Sequence, residues 1–226
     1  VSAFGILVIL VLAWLWSTDR RRVPLRTLIW GLTLQFALAL FVLQTTIGAD
    51  LFRGVGRSVT WFLSFAADGT AFLFGNMARS GPDTVFGMQF ALTIVGILVF
   101  FSACMSVLYH YGIIQRIVGG MAWVMQRTMG TSAIESLSAA ANVFVGQTEA
   151  PLVIRHYLPN ASRSELFAIM VGGFASIAGT ILGVYIGLGI PADYLIVASV
   201  LAAPGGLVLA KLAEPSVPSP PSVPIT

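Results

Sequence analysis

Between Asn142 and Pro159 the chain reads NVFVGQTEAPLVIRHYLP, and Gly146-Gln147-Thr148-Glu149 interrupts a run that is otherwise hydrocarbon. An amide, a hydroxyl and a carboxylate side by side can donate and accept hydrogen bonds to a polar solute. Further along, in VGGFASIAGTILGVYIG, Ser176 lies among Gly172, Gly173 and Gly179, where a helix can unwind locally. Asn142 and Ser176 offer neutral side-chain oxygens, and backbone carbonyls near Val145 and Ile177 add more. A set built from oxygen, without imidazole or thiolate, suits a hard monovalent cation rather than a transition metal. The remaining inventory is poor in other chemistry. Cys104 is the single cysteine, and His110 and His156 have no partner at ligand spacing. No zinc site, haem or catalytic triad can be assembled, and with no His or Lys at membrane depth near Glu149 the chain is not expected to be an enzyme.

The surroundings explain why these groups matter. Of 226 residues, 57% are hydrophobic and 9% charged, against about 25% charged in soluble domains. So few charges cannot cover a water-facing surface, and several runs approach the roughly 20 residues a helix needs to cross a bilayer. The chain reads as an all-α polytopic membrane protein. Its net charge of +3 comes from arginine clusters at the ends of apolar runs, the pattern of cytoplasmic loops rather than of a nucleic-acid-binding surface. The first run, FGILVILVLAWLW, precedes its arginines, Arg20, Arg21, Arg22 and Arg26, instead of following them, so it reads as a short retained span and not a signal peptide. That places the N-terminus outside the cytoplasmic membrane.

About five transmembrane helices are expected. After the first, a second runs from Thr27 to Ile47 and a third from Val85 to Tyr109. A fourth runs from Leu166 to Leu188, and a fifth from Tyr194 to Leu212. Between the second and third, DLFRGVGRSVTWFLSF has Phe52, Val55, Val59, Phe62 and Leu63 at helical spacing and Arg53 and Arg57 on another side. This predicts an interfacial amphipathic helix, followed by a short helix and a loop where Gly69 and a Gly-Pro pair break the pattern. IIQRIVGGMAWVMQRTMG predicts a second interfacial helix with Ile114, Ile117, Val118, Met121 and Met125 as its apolar stripe.

Two S-x-x-E capping boxes, Ser132 with Glu135 and Ser162 with Glu165, mark helix starts. The segment between them is interrupted by Gly146 and Pro151. This predicts a re-entrant helical hairpin over 131–160, with arms Ser132–Val145 and Pro151–Leu158 entering and leaving by one face. With the hairpin re-entrant, Arg127, Arg155, Arg163 and Lys211 all fall on the cytoplasmic side, as the positive-inside bias prefers. Its tip then carries Asn142, Gln147, Thr148 and Glu149 to membrane depth, where ionisable groups line substrate or ion paths and broken helices build transporter sites. Plainer readings stand beside this one. Gly179, Gly183 and Gly187 also suit close helix packing, Ser176 can bond back to its own helix, and Asn142 can cap a helix end. Glu135, Glu165, Trp14, Trp16 and Trp123 read as caps and interface aromatics.

The segments SLSAAANVFVGQTEAPLVIRHYLP and RSELFAIMVGGFASIAGTILGVYIG, with FFSACMSVLYHYGIIQRIVGGMAWVMQRTMGTSAIESLSAAAN upstream, closely resemble the concentrative nucleoside transporter family. The likeness extends from the first helix to about Glu214. It implies a cation-coupled nucleoside symporter of the plasma or inner membrane, working as a homotrimer by an elevator-like movement, with no cofactor beyond the coupling ion. The resemblance also implies nucleobase contacts from Gln147, Thr148 and Glu149, with Ile181 packing on the base. It implies sodium ligands from Asn142, Val145, Ser176 and Ile177; protons are the alternative coupling ion. Two departures are visible. Arg155-His156 stands where the family usually has Arg-Pro, which is expected to act locally. No second hairpin with ribose-binding residues is present, so the chain resembles one half of an inverted-repeat transporter. On this reading, 1–112 is scaffold, 113–213 is the first half of the transport domain, and 214–226 is a Pro- and Ser-rich tail on the cytoplasmic side. Alone, it is expected not to transport. A non-transporting membrane remnant or a regulatory partner of a full-length transporter is the alternative.

Overall fold

The computed structural model describes residues 2–77, 90–147 and 149–215. These form ten α-helices: α1 Ser2–Leu15, α2 Leu25–Gln44, α3 Thr46–Phe74, α4 Phe90–His110, α5 Ile113–Met129, α6 Ala133–Asn142, α7 Ala150–Val153, α8 Arg163–Ala175, α9 Gly179–Gly187 and α10 Ala192–Ala213. Four stretches are long and apolar enough to cross a membrane: Leu25–Gln44, Ala91–His110, Arg163–Gly187 and Ala192–Ala213. The first apolar run is shorter than expected for a span. Its helix has 14 residues, about 21 Å at 1.5 Å per residue, against a hydrocarbon core of roughly 30 Å.

The chain divides into two compact units, one of residues 1–40, 116–177 and 199–226 and the other of 41–115 and 178–198. In the first, Met125 and Met129 of α5, Ala139 of α6, Ala168 of α8 and Leu207 and Val208 of α10 form a buried core, with Leu28 and Leu32 of α2 packed against it. The end of α5 is capped from α2: Arg26 donates to the carbonyls of Arg127 and Thr128 and Thr27 Oγ1 to that of Met129, at 2.9 Å. A cation and a hydroxyl thus serve carbonyls that the helix end leaves without partners. Within α10, Pro204 lacks an N–H, and one carbonyl beyond the one it deprives, that of Leu201, accepts the Gln35 amide at 2.9 Å.

In the second unit, Leu63 and Ala66 of α3, Ile97 of α4 and Val184 of α9 form the core. The helices approach closely because glycines face them. A Cβ on Gly96 would lie 1.8 Å from Thr70 Oγ1, and one on Gly183 or Gly187 would lie 2.9 or 3.1 Å from Ile97. At Gly183 and Gly187, then, the row serves close packing, the plainer of its two readings.

Two boundaries and one buried face differ from expectation. The second helix stops at Gln44, not Ile47, because Thr45 has extended backbone and accepts the Gly48 N–H, which starts α3. Asp68-Gly69 does not end the amphipathic helix. The segment is one helix of 29 residues, since an internal glycine costs only about 1 kcal/mol and burial of Leu63, Ala66 and Thr70 favours continuation. In α5, Ile114, Val118 and Met125 are buried as expected, but Ile117 is exposed. Residues 85–89 of the expected third helix, the Gly-Pro loop and most of the tail lie outside the described residues.

Candidate functional site

Both capping boxes form, with each serine accepting the N–H of its glutamate and each glutamate accepting the serine N–H. The first starts α6, whose 10 residues rise about 15 Å, half of a roughly 30 Å core. α6 ends at Asn142, before Val145. Gly146 then turns the chain at φ +136°, a conformation that glycine adopts readily. Its carbonyl accepts the N–H groups of Glu149 at 3.2 Å and Ala150 at 2.9 Å. The return is less helical than expected. α7 spans four residues with a proline in its first turn, and turns and a 3₁₀ segment, Leu158–Asn160, follow. The α-helix already ends at Ile154, with φ −106° and ψ 10°, and so the arm reaches α8 without a long second helix.

The hairpin begins and ends at one end of its unit. Lys211, near the end of α10, forms an ion pair with Glu135 in the first turn of α6. The same ammonium donates to Ser164 Oγ in the first turn of α8, at 2.9 Å, and Ser164 donates to the Glu214 carbonyl at 2.7 Å. The carboxylate of Glu214 pairs with Arg163 at 3.2 Å. Glu135 and Lys211 are 1% and 4% exposed, so this pair is held inside the protein. Sequence reasoning assigned Glu135 to capping alone and Lys211 to the membrane surface. The one available signal was that Lys211 is the sole lysine and lies in the apolar run VLAKLA.

At the other end, the tip rests on a glycine pair of α8. A Cβ on Gly172 would lie 3.4 Å from Asn142 Nδ2, and one on Gly173 would lie 3.0 Å from Gln147 Cβ. A side chain at Gly173 would press on Gln147, whereas one at Gly172 would make ordinary contact with Asn142. Asn142 is 2% exposed, and its Oδ1 has no hydrogen-bond partner among the described residues. α8 stops at Ala175, two residues beyond this seat. Ser176 has extended backbone at φ −110°, ψ 156°, as does Ala178 at φ −59°, ψ 140°, and α9 starts at Gly179. The unwinding expected around Ser176 is therefore present. Ser176 Oγ donates to the Gly172 carbonyl at 2.9 Å, which is the plainer reading of that serine. A hydroxyl that gives its proton to a carbonyl keeps its oxygen lone pairs for another partner.

Asn142, Gln147 and Ser176 thus all meet α8 around Gly172 and Gly173. Val145 is buried, Ile177 is half-buried, and the side chains of Gln147 and Glu149 are exposed. Glu149 stands at the N-terminus of α7 without a side-chain capping bond, so its carboxylate is not committed to the helix. Thr148 lies outside the described residues. Ile181 belongs to the second unit, on α9, and is exposed there. Among the described residues no His/Cys/Asp/Glu cluster could hold a metal ion, and the donors on hand are amide, hydroxyl and carbonyl oxygens.

Four helices long and apolar enough to cross a membrane, a hairpin that turns back on itself and an adjacent helix broken opposite its tip are the features of a polytopic membrane protein of the secondary-transporter class. Residues 4–77 match the family described as "Na+ dependent nucleoside transporter N-terminus", and residues 91–192 match "Nucleoside recognition". The chain is 48% identical over 217 residues to mouse sodium/nucleoside cotransporter 1, with 96% of this chain and 32% of that protein covered. It is 44% identical over 214 residues to an uncharacterized transporter of Haemophilus influenzae, with 95% and 51% covered. The solved structure of CNTnw in an inward-facing substrate-bound state superposes with a TM-score of 0.94 at 41% identity, covering all of this chain and 55% of that one. The chain belongs to the concentrative nucleoside transporter family, and it spans between a third and about half of the length of these relatives.

Proposed function

We propose that the chain is the hairpin-bearing part of a sodium-coupled nucleoside importer of the cell membrane. Residues 1–112 act as scaffold in this reading, and 113–213 form the first half of the moving transport domain. Gln147, Thr148 and Glu149 read the nucleobase. Paired donors and acceptors in a dry pocket match its edge and reject ligands that would leave them unpaired. Ile181 packs on the base. Asn142, Val145, Ser176 and Ile177 hold the coupling cation, with sodium favoured over protons because the donors are neutral oxygens. The observation that carries this reading is the buried, unpartnered Oδ1 of Asn142, whose Nδ2 lies beside Gly172, the residue whose carbonyl receives the Ser176 hydroxyl. One sodium ion moving inward gains about 2.3 kcal/mol per 100 mV of membrane potential, enough to drive solute accumulation.

The arginine-rich ends and the hairpin base face the cytoplasm, the N-terminus faces outward, and the working assembly is a homotrimer. The ribose-binding groups come from beyond this chain, so residues 1–226 alone do not transport. The test is uridine uptake by the complete transporter under an inward sodium gradient. Glu149→Gln is expected to lower uptake at least about tenfold, since a hydrogen bond from the nucleobase to a charged group is worth about 1.5–3 kcal/mol, with the protein still folded. Unchanged uptake would remove the tip from the substrate site.

A further inference from the structure

Along α6, Glu135, Ser138 and Asn142 lie at i, i+3 and i+7 and so share one stripe of the helix. All three are buried, at 1%, 1% and 2% exposure. The stripe joins the tip to the hairpin base, a rise of about 10 Å, through a segment whose other residues are Ser136, Leu137 and three alanines. Its middle residue behaves differently from its neighbours. In apolar surroundings buried helical hydroxyls commonly turn back on their own helix, as Ser136 does to the Ser132 carbonyl and Thr70 to that of Ala66, although Ser199 of α10 does not. The Ser138 hydroxyl makes no such bond and, like Asn142 Oδ1 one turn away, has no partner among the described residues. A buried polar group left in that condition costs about 1–3 kcal/mol, and two on one stripe mark a place built to receive something polar.

We infer that Ser138 gives the coupling cation a second oxygen station, one helical turn from Asn142 toward the hairpin base. This rests on the reading of Asn142 as a cation ligand and extends it. A hydroxyl oxygen and an amide oxygen spaced by one turn offer neutral, hard donors to a monovalent cation. The station is closed at its inner end, because Glu135 is already held by the Lys211 ammonium and a cation moving further meets a like charge. A cation bound there therefore leaves past Asn142, by the tip through which it came.

The test uses residues 1–226 in lipid nanodiscs, following the thermal unfolding midpoint as sodium chloride replaces choline chloride at constant ionic strength. A ligand that binds only the folded state raises the midpoint with its concentration, and the curve yields its affinity. The wild-type chain is expected to respond to sodium, and Asn142→Leu to lose the response. Ser138→Ala is expected to raise the half-saturating sodium concentration about tenfold, the scale on which a supporting ligand acts, and Ser138→Thr, which keeps the hydroxyl, to stay near wild type. Wild-type affinity in Ser138→Ala alongside a lost response in Asn142→Leu overturns the second station, leaving Ser138 with an ordered water only. Equal weakening in the alanine and threonine variants overturns it too, as a packing effect. A wild-type chain that ignores sodium overturns the Asn142 site itself and the inference with it.

Discussion

Removing the ammonium of Lys211 while leaving the rest of the hairpin base intact gives the sharpest energetic test of how the hairpin is anchored. Glu135 and Lys211 are 1% and 4% exposed, so neither charge is solvated from outside, and each depends on the other. Lys211→Met keeps the volume of the side chain but strands a carboxylate in the interior, which costs about 3–5 kcal/mol. Glu135→Gln on its own leaves the ammonium with the Ser164 hydroxyl as a partner, a smaller loss of about 2–3 kcal/mol. The double variant is the informative one. Glutamine still closes the capping box on the Ser132 N–H, and methionine supplies apolar bulk, so Glu135→Gln/Lys211→Met is expected within about 1 kcal/mol of wild type, because well-packed neutral replacements of buried pairs are often harmless. The assay is reversible denaturation in mixed micelles run as a double-mutant cycle. A coupling of several kcal/mol supports a buried pair. A Lys211→Met variant within about 0.5 kcal/mol of wild type, the range of ordinary surface changes, or a double variant as unstable as the sum of the singles, would refute it.

Other outcomes follow from the same geometry. Gly173→Ala would place a Cβ 3.0 Å from that of Gln147; overpacking of this kind costs about 1–3 kcal/mol. It should lower uridine uptake by the complete transporter more than Gly119→Ala, whose Cβ meets nothing within 4 Å. Gly96→Ala would set a Cβ 1.8 Å from Thr70 Oγ1 and should destabilise the chain by about 1–3 kcal/mol in denaturant titration; adding Thr70→Ala should recover most of that. Gly146→Ala forces a side chain into φ +136°. The strain, of order 1–3 kcal/mol, should appear as faster hydrogen exchange at the tip, with helix α10 unchanged.

Much of this arrangement was legible in the residues, because its signals are local. Ser132-Glu135 and Ser162-Glu165 fixed two helix starts, Gly146 and Pro151 fixed a turn between them, and the glycines around Ser176 marked the unwound stretch. Each works through backbone conformation or a hydrogen bond within four residues. What escaped is what depends on distant partners. The Lys211–Glu135 pair joins residues far apart in the chain, and nothing at either position names the other. The continuity of α3 through Asp68-Gly69 is decided by burial of Leu63, Ala66 and Thr70, which outweighs local propensity. The Asn142 and Ser176 oxygens could be picked out by type, yet their common neighbour, Gly172, emerges only when α6 and α8 lie side by side.

Substrate protection at the tip tests the central claim most directly. With Cys104, the single cysteine of residues 1–226, and any further cysteines of the complete transporter replaced by serine, and with Leu152, exposed beside the tip, replaced by cysteine, the rate of modification by a hydrophilic thiol reagent is measured with sodium and nucleoside, with either alone, and with neither. The expected result is a reactive thiol whose labelling slows sharply only when sodium and nucleoside are present together. Labelling at one rate under all four conditions would contradict the account, since it would put the tip outside the path that solute and ion share.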